Sequence, residues 1–348
     1  LDVRRTGLEG EAQPIFPFFV GCARSGTTLL RAIFDSHDEL AIPDETPYFT
    51  HTLTRQRKYS RHNGFEAGRF LEDLFAHPWF PRLEVPQEAV RTAVLTNPPD
   101  TYAEAVRRIF ALYAQREGKP RYGDKTPRNV TKVEAIARTF PEARFVHIIR
   151  DGRNVALSML EMPWGPRSIV EAARTWKQAV VHGRRAGRVL GTSRYREVQY
   201  EQLLEEPEEQ VRPLCQFMDL PFHPMMLRYF ERAEQIIAPS PSTRGRVALP
   251  PTKGLRDWRT QMTKGDLEKF ELIAWRELEE LGYERGAAGM PLRDQVTTRL
   301  AILSIDTKTH ATDLVRSLRR FARRTRGRAR RFMARRAAVR GHDRVSPS

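Results

Sequence analysis

The apolar run Phe16-Pro17-Phe18-Phe19-Val20 leads into Gly21-Cys22-Ala23-Arg24-Ser25-Gly26-Thr27-Thr28, and TTLLRAIFD over 27–35 then has helical periodicity. A short apolar run stopped by glycine reads as a buried strand. The junction has the G-x-x-x-x-G spacing of a phosphate-cradling loop, in which backbone N–H groups and a helix N-terminus hold an anion. A purely structural glycine turn is the other reading of these residues. The nucleotide-hydrolase form does not apply, because Thr27 stands where that motif requires Lys. The nearest cation, Arg24, lies inside the loop instead.

Further strands read at 40–42, 121–123, 144–150 and 195–200. Helices read at 127–140, 151–160, 167–190, 208–218 and 224–233, with a last core helix opening at Thr263. The stretch 64–118 is mostly helical by pattern, broken at His77-Pro78 and Asn97-Pro98-Pro99. Strands alternating with helices predict an α/β fold, a P-loop-type parallel sheet flanked by helices with a basic C-terminal helical tail. The expected division is a lead-in over 1–14, an α/β domain over 15–285, and a linker with an Arg-rich tail over 286–348.

Composition narrows the function classes. With 348 residues, 40% hydrophobic and 29% charged, the chain can bury a core, which excludes wholesale disorder. No apolar run approaches the roughly 18–20 residues of a membrane span, and no apolar signal core follows Leu1, so a cytoplasmic protein is expected. Cys22 and Cys215 make no disulfide framework and read as small buried hydrophobes. The nine histidines show no metal-ligand spacing. Of the net charge of +16, residues 311–348 carry +11 through 13 arginines. That tail reads first as a solvated basic appendage, then as a peripheral membrane contact, and last as a nucleic-acid binder.

A second anchor runs from Phe145 to Ser158 (FVHIIRDGRNVALS), a strand entering a helix with Arg150 at the strand's carboxyl end. Ligands of open α/β sheets bind at that edge. A guanidinium there and a hydroxyl two turns into the helix can together hold a second phosphate. Read alone, Arg150-Asp151 is also an ordinary helix-start ion pair.

RSGTTLLRAIFDSHDELAIPDET resembles the first motif of sulfotransferases that use 3′-phosphoadenosine 5′-phosphosulfate (PAPS), and is similar to the branch with the protein-tyrosine sulfotransferases and their bacterial relatives. The resemblance implies that Arg24, Ser25, Gly26, Thr27 and Thr28 bind the 5′-phosphosulfate, and that Arg150 and Ser158 bind the 3′-phosphate. It spans most of 16–285, with only four short stretches specific.

After the first loop, a right-handed crossover is expected to return the strand at 40–42 parallel to the first strand. Pro43-Asp44-Glu45-Thr46-Pro47 then emerges on the edge that carries Arg24, kept extended by Pro47. Glu45 is placed to take a proton from an acceptor hydroxyl. It follows Arg24 by 21 residues, the spacing at which tyrosine-sulfating relatives carry their general base. Asp44 is the alternative, and a merely solvated loop is the other reading. Gly123-Asp124-Lys125-Thr126-Pro127 resembles a further family stretch whose lysine supports catalysis, which assigns that role to Lys125. Tyr200 ends a predicted strand and reads either as a nucleotide contact or as a core aromatic. Lys253-Gly254-Leu255-Arg256-Asp257-Trp258-Arg259 resembles the family's late Lys-Gly loop, leaving open which of Lys253, Arg256 and Arg259 meets the cofactor.

The expected function is in-line sulfuryl transfer from PAPS to a hydroxyl on a peptide tyrosine, glycan, lipid or small molecule. Glu45 acts as base, Lys125 and Arg24 stabilise charge, and no metal takes part. The rivals are a P-loop kinase-like phosphotransferase and a non-enzymatic binder of anions or nucleic acid working through the tail.

Overall fold

β1 spans Phe16–Gly21 and is buried along its whole length. Such a strand must be covered on both faces, and in the computed structural model helices do this. The structure describes residues 13–61, 64–231 and 256–287, with 289 and 296. β1 sits inside a four-stranded parallel sheet between β6 (Asp124–Lys125) and β7 (Ala143–Ile149), with β8 (Tyr195–Gln199) beyond β7. The register sets Phe18 opposite Phe145 and Phe19 opposite Lys125.

Phe19 points to a layer formed by α1 (Thr27–Asp35), α9 (Tyr200–Glu205) and α10 (Pro207–Phe217), with Leu30, Phe34, Val146, Ile148, Leu203 and Leu214 in one buried cluster. Phe16 and Phe18 point the other way. Phe16 packs edge-on to Phe110 of α5 (Tyr102–Arg116) at 5.0 Å, and Phe18 tilts against Phe49 of α2 (Pro47–Leu53) at 6.1 Å. Each fully buried Phe contributes about 1.5–3 kcal/mol of apolar transfer. α8 (Ile169–Leu190) crosses the same face and tilts Trp176 against Phe270 of the helix Lys264–Glu280, ring centroids 5.9 Å apart.

The strand–loop–helix unit 16–35 and the strand–helix unit around Arg150 form as the periodicity predicts. Other expectations need correction. β2 (Leu40–Ala41) does not return beside β1, whose two edges are taken by β6 and β7. It pairs in parallel with β5 (Arg121–Tyr122) instead. The strand expected at 121–123 is thus two short strands either side of Gly123, each with its own partner. Tyr200 does not end a strand; it opens α9, with Gln199 as N-cap. The helix expected at 224–233 is a 3-10 helix, Pro224–Glu231. An antiparallel pair, Ser60–Arg61 with Gly64–Phe65, precedes the helical stretch.

The chain divides into Leu1–Ala287 and Ala288–Ser348. The basic tail lies outside the described residues, as does Lys253. Among the described residues no helix is long and apolar enough to cross a membrane. Cys22 and Cys215 are free and buried, as their composition suggests.

Candidate active site

Beyond β1 the backbone turns through two left-handed residues, Arg24 at φ 73° and Gly26 at φ 101°. The Ser25 N–H closes the turn on the Cys22 carbonyl at 3.1 Å. Gly26 is the N-cap of α1, and no side chain caps that helix. Its first N–H groups and the positive end of its dipole therefore face the loop. Only glycine fits at position 26: the φ is left-handed, and a Cβ would lie 2.4 Å from Tyr200 Cδ2.

α7 (Gly152–Leu160) starts at Asp151, whose carboxylate accepts from the Arg153 N–H at 2.9 Å. Two turns on, buried Ser158 Oγ accepts from Arg24 Nε at 3.0 Å. The Arg150 guanidinium lies 4.4 Å over the Tyr200 ring, while its carbonyl accepts from Trp176 Nε1 at 3.0 Å. Tyr200 thus packs on Gly26 and on Arg150 at once. Ser25 Oγ and Arg150 Nε are buried without a hydrogen-bond partner among the described residues.

On the β6 side, Lys125 Nζ stands 3.4 Å from Glu45 Oε1 and 3.6 Å from Asp44 Oδ1. Lys125 is 3% exposed, whereas Glu45 keeps a third of its side chain in solvent. Asp44 also meets Arg31 of α1 and Arg82, each at 3.7 Å. Burial pushes the Asp44 carboxyl up, but Lys125, Arg31, the Glu45 N–H and Arg82 outweigh it and hold it below the ordinary carboxylate value. Next to Lys125, fully buried Asp124 accepts from Thr46 Oγ1 at 2.5 Å, Thr126 Oγ1 at 3.0 Å and Asn129 Nδ2 at 2.8 Å. Burial raises Asp124 to about 6 despite these three donors.

The structure therefore gathers Arg24, Ser25, Gly26, Arg150, Ser158 and Tyr200 at one place, with buried Thr27 and half-buried Thr28 opening α1 beside them. Glu45 and Lys125 form a pair of their own. Of the late loop, Arg256 pairs with Glu161 just beyond α7, while its Nε is buried without a partner among the described residues. Arg259 turns to Glu284 at 2.6 Å and to the Trp258 ring.

Sequence reasoning missed Asp124, Arg31 and Arg153. Arg153 has no exposed surface, binds Asp151 and Glu271 at 2.7 Å each, and lies 3.7 Å over Trp258. A cation in the first turn of a helix opposes the dipole, and an Asp in a strand opposes β propensity. The first was visible in the sequence; the second was not, because the strand expected at 121–123 stops short of Asp124.

A model of the sulfotransferase family matches residues 14–224. The chain belongs to the sulfotransferase family. A protein-tyrosine sulfotransferase of Drosophila melanogaster is 26% identical over 62% of this chain and 40% of its own length. A putative protein-tyrosine sulfotransferase of Caenorhabditis briggsae is also 26% identical, over 78% of this chain and 90% of its own. The human protein-tyrosine sulfotransferase 1 is 24% identical over 65% and 59% respectively. This sulfotransferase-family chain thus spans only 40% of the fly relative and 59% of the human one. Its fold is that of the sulfotransferase domain from the curacin biosynthetic pathway, with a TM-score of 0.55 over 79% of this chain and all of that one, at 18% identity. Among the described residues, no three His, Cys, Asp or Glu side chains are grouped to hold a metal ion.

Proposed function

We propose that this family member is a PAPS-dependent sulfotransferase acting on a hydroxyl acceptor. The observation that carries the reading is the pair of buried donors without partners among the described residues, Ser25 Oγ and Arg150 Nε, in the cluster that holds the Arg24–Ser158 bond. A buried donor left unpaired costs about 1–3 kcal/mol, and an anionic ligand along that edge relieves both. The residues present fit such a ligand: two arginines, buried hydroxyls, and an uncapped helix start behind a left-handed glycine packed on Tyr200. Arg24, Ser25, Gly26, Thr27 and Thr28 would hold the 5′-phosphosulfate, Arg150 and Ser158 the 3′-phosphate, with Tyr200 and Lys253 against the nucleotide. PAPS, when bound, supplies the sulfuryl group.

Glu45 takes the acceptor's proton. Asp44 is the poorer base, because its cations hold it ionised below the ordinary carboxylate range. Glu45 meets one of those cations, Lys125, and keeps solvent access for an incoming hydroxyl. Lys125 supplies positive charge where negative charge grows on oxygen. A sulfuryl group carries fewer formal charges than a phosphoryl, so side chains and loop N–H groups suffice without a metal. The relatives' names make a protein tyrosine the first acceptor to assay, ahead of glycans, lipids and small molecules.

Calorimetry tests the reading. Adenosine 3′,5′-bisphosphate should bind with micromolar affinity, far more tightly than ATP, and Arg150→Ala should lose it. Glu45→Gln should keep that binding and lose turnover by about 10²–10⁴-fold. ATP binding indifferent to a 3′-phosphate sinks the proposal in favour of a kinase.

A further inference from the structure

We infer that Asp124 is a positioning residue whose buried carboxylate sets the placement of Glu45 against Lys125, an inference that rests on the catalytic reading of that pair. Asp124 is the residue before Lys125, and Thr46 is the residue after Glu45. The bond from Thr46 Oγ1 to Asp124 Oδ2, at 2.5 Å, therefore ties the two catalytic segments one residue from each side chain. A second tie runs from the Thr46 N–H to Thr126 Oγ1 at 2.9 Å, and Thr126 Oγ1 in turn donates to the same Asp124 oxygen. Asn129 Nδ2 holds the other oxygen, and Asn129 accepts from Thr50 of α2. Asp124, Thr46 and Asn129 have no exposed surface.

The charge is what gives this network its direction. A carboxylate only accepts, so both threonine hydroxyls must donate to it. That leaves Thr126 Oγ1 with its lone pairs free for the Thr46 N–H. An Asn at 124 would put its N–H₂ either where both hydroxyls donate or against the Asn129 Nδ2 donor, and each arrangement leaves donors without an acceptor. A neutral residue would hold the strand with a smaller desolvation cost. The task of this carboxylate is to fix Thr46, and through it Glu45, whose own side chain is a third exposed. β2 does not supply that alignment, since it belongs to a different ladder from β6.

The test uses Thr46→Val, which keeps the shape and removes the hydroxyl, Thr46→Ser, which restores it, and Asp124→Asn. Binding of adenosine 3′,5′-bisphosphate should stay within about twofold of wild type, because the anion-holding residues are untouched. With PAPS and a tyrosine peptide, kcat should fall about 10- to 100-fold in Thr46→Val and Asp124→Asn at unchanged KM for PAPS, with Thr46→Ser near wild type. Unchanged kcat in folded Thr46→Val and Asp124→Asn overturns the inference, as does a loss shared equally by bisphosphate binding. If the wild-type protein binds the bisphosphate but sulfates no acceptor, it is the function that fails. Crystal structures of the variants then decide the positioning: a Lys125–Glu45 separation kept at 3.4 Å overturns it, and an opened pair supports it.

Discussion

Arg24 Nε donates to Ser158 Oγ across 3.0 Å, although 134 residues separate them in the chain. The bond joins the loop after β1 to the second turn of α7, so that each of the two motifs proposed to hold an anion orients the other. Tyr200 completes the contact from a third segment, lying between Gly26 and Arg150.

Ser158→Ala removes both a proposed phosphate ligand and the acceptor of the Arg24 Nε–H. Bisphosphate affinity should fall by roughly 10- to 100-fold, as for one hydrogen bond to a charged group. The melting temperature should change little. Calorimetry beside a thermal melt checks this, and undiminished affinity would remove Ser158 from the site.

Gly26→Ala meets two obstacles, the left-handed backbone and the Tyr200 ring. About 1–3 kcal/mol of stability should be lost, together with bisphosphate binding. Adding Tyr200→Ala relieves the clash but not the φ of 101°. Urea unfolding of the single and double variants separates the two contributions, and a stable, binding-competent Gly26→Ala would refute the close approach.

Asp124 predicts a pH dependence of stability. Burial raises its carboxyl from the ordinary 3.8 to about 6, so the folded state holds the proton more tightly than the unfolded chain. The stabilisation is fully present below 3.8 and is lost as pH rises through about 6. From about pH 4 to pH 7 the wild type should lose on the order of 3 kcal/mol relative to Asp124→Asn. Parallel denaturant-unfolding profiles for the two proteins across this range would contradict the raised value.

The parts legible in the sequence are those whose geometry is local. The apolar run, the spacing of Gly21 and Gly26, and the periodicity of Thr27–Asp35 determine a strand, a tight turn and a helix within 20 residues. Arg150 and Ser158 are likewise set by one strand running into one helix. Glu45 and Lys125 stand in short stretches that the sequence singles out, but the crossover expected to return the strand at 40–42 parallel to β1 pairs it with β5, in a separate sheet.

Tertiary structure decided what depends on partners far along the chain. Nothing near Asp124 says that Thr46 will reach it, and nothing near Arg153 says that Glu271 and Trp258 will enclose it. Burial makes those charges matter, since a carboxylate or guanidinium removed from water must find its donors or acceptors inside. The sequence alone determined which groups are proposed to hold an anion and move a proton. Only the packing of the segments decided which carboxylate faces three cations, which keeps access to solvent, and which is buried to hold the others in place.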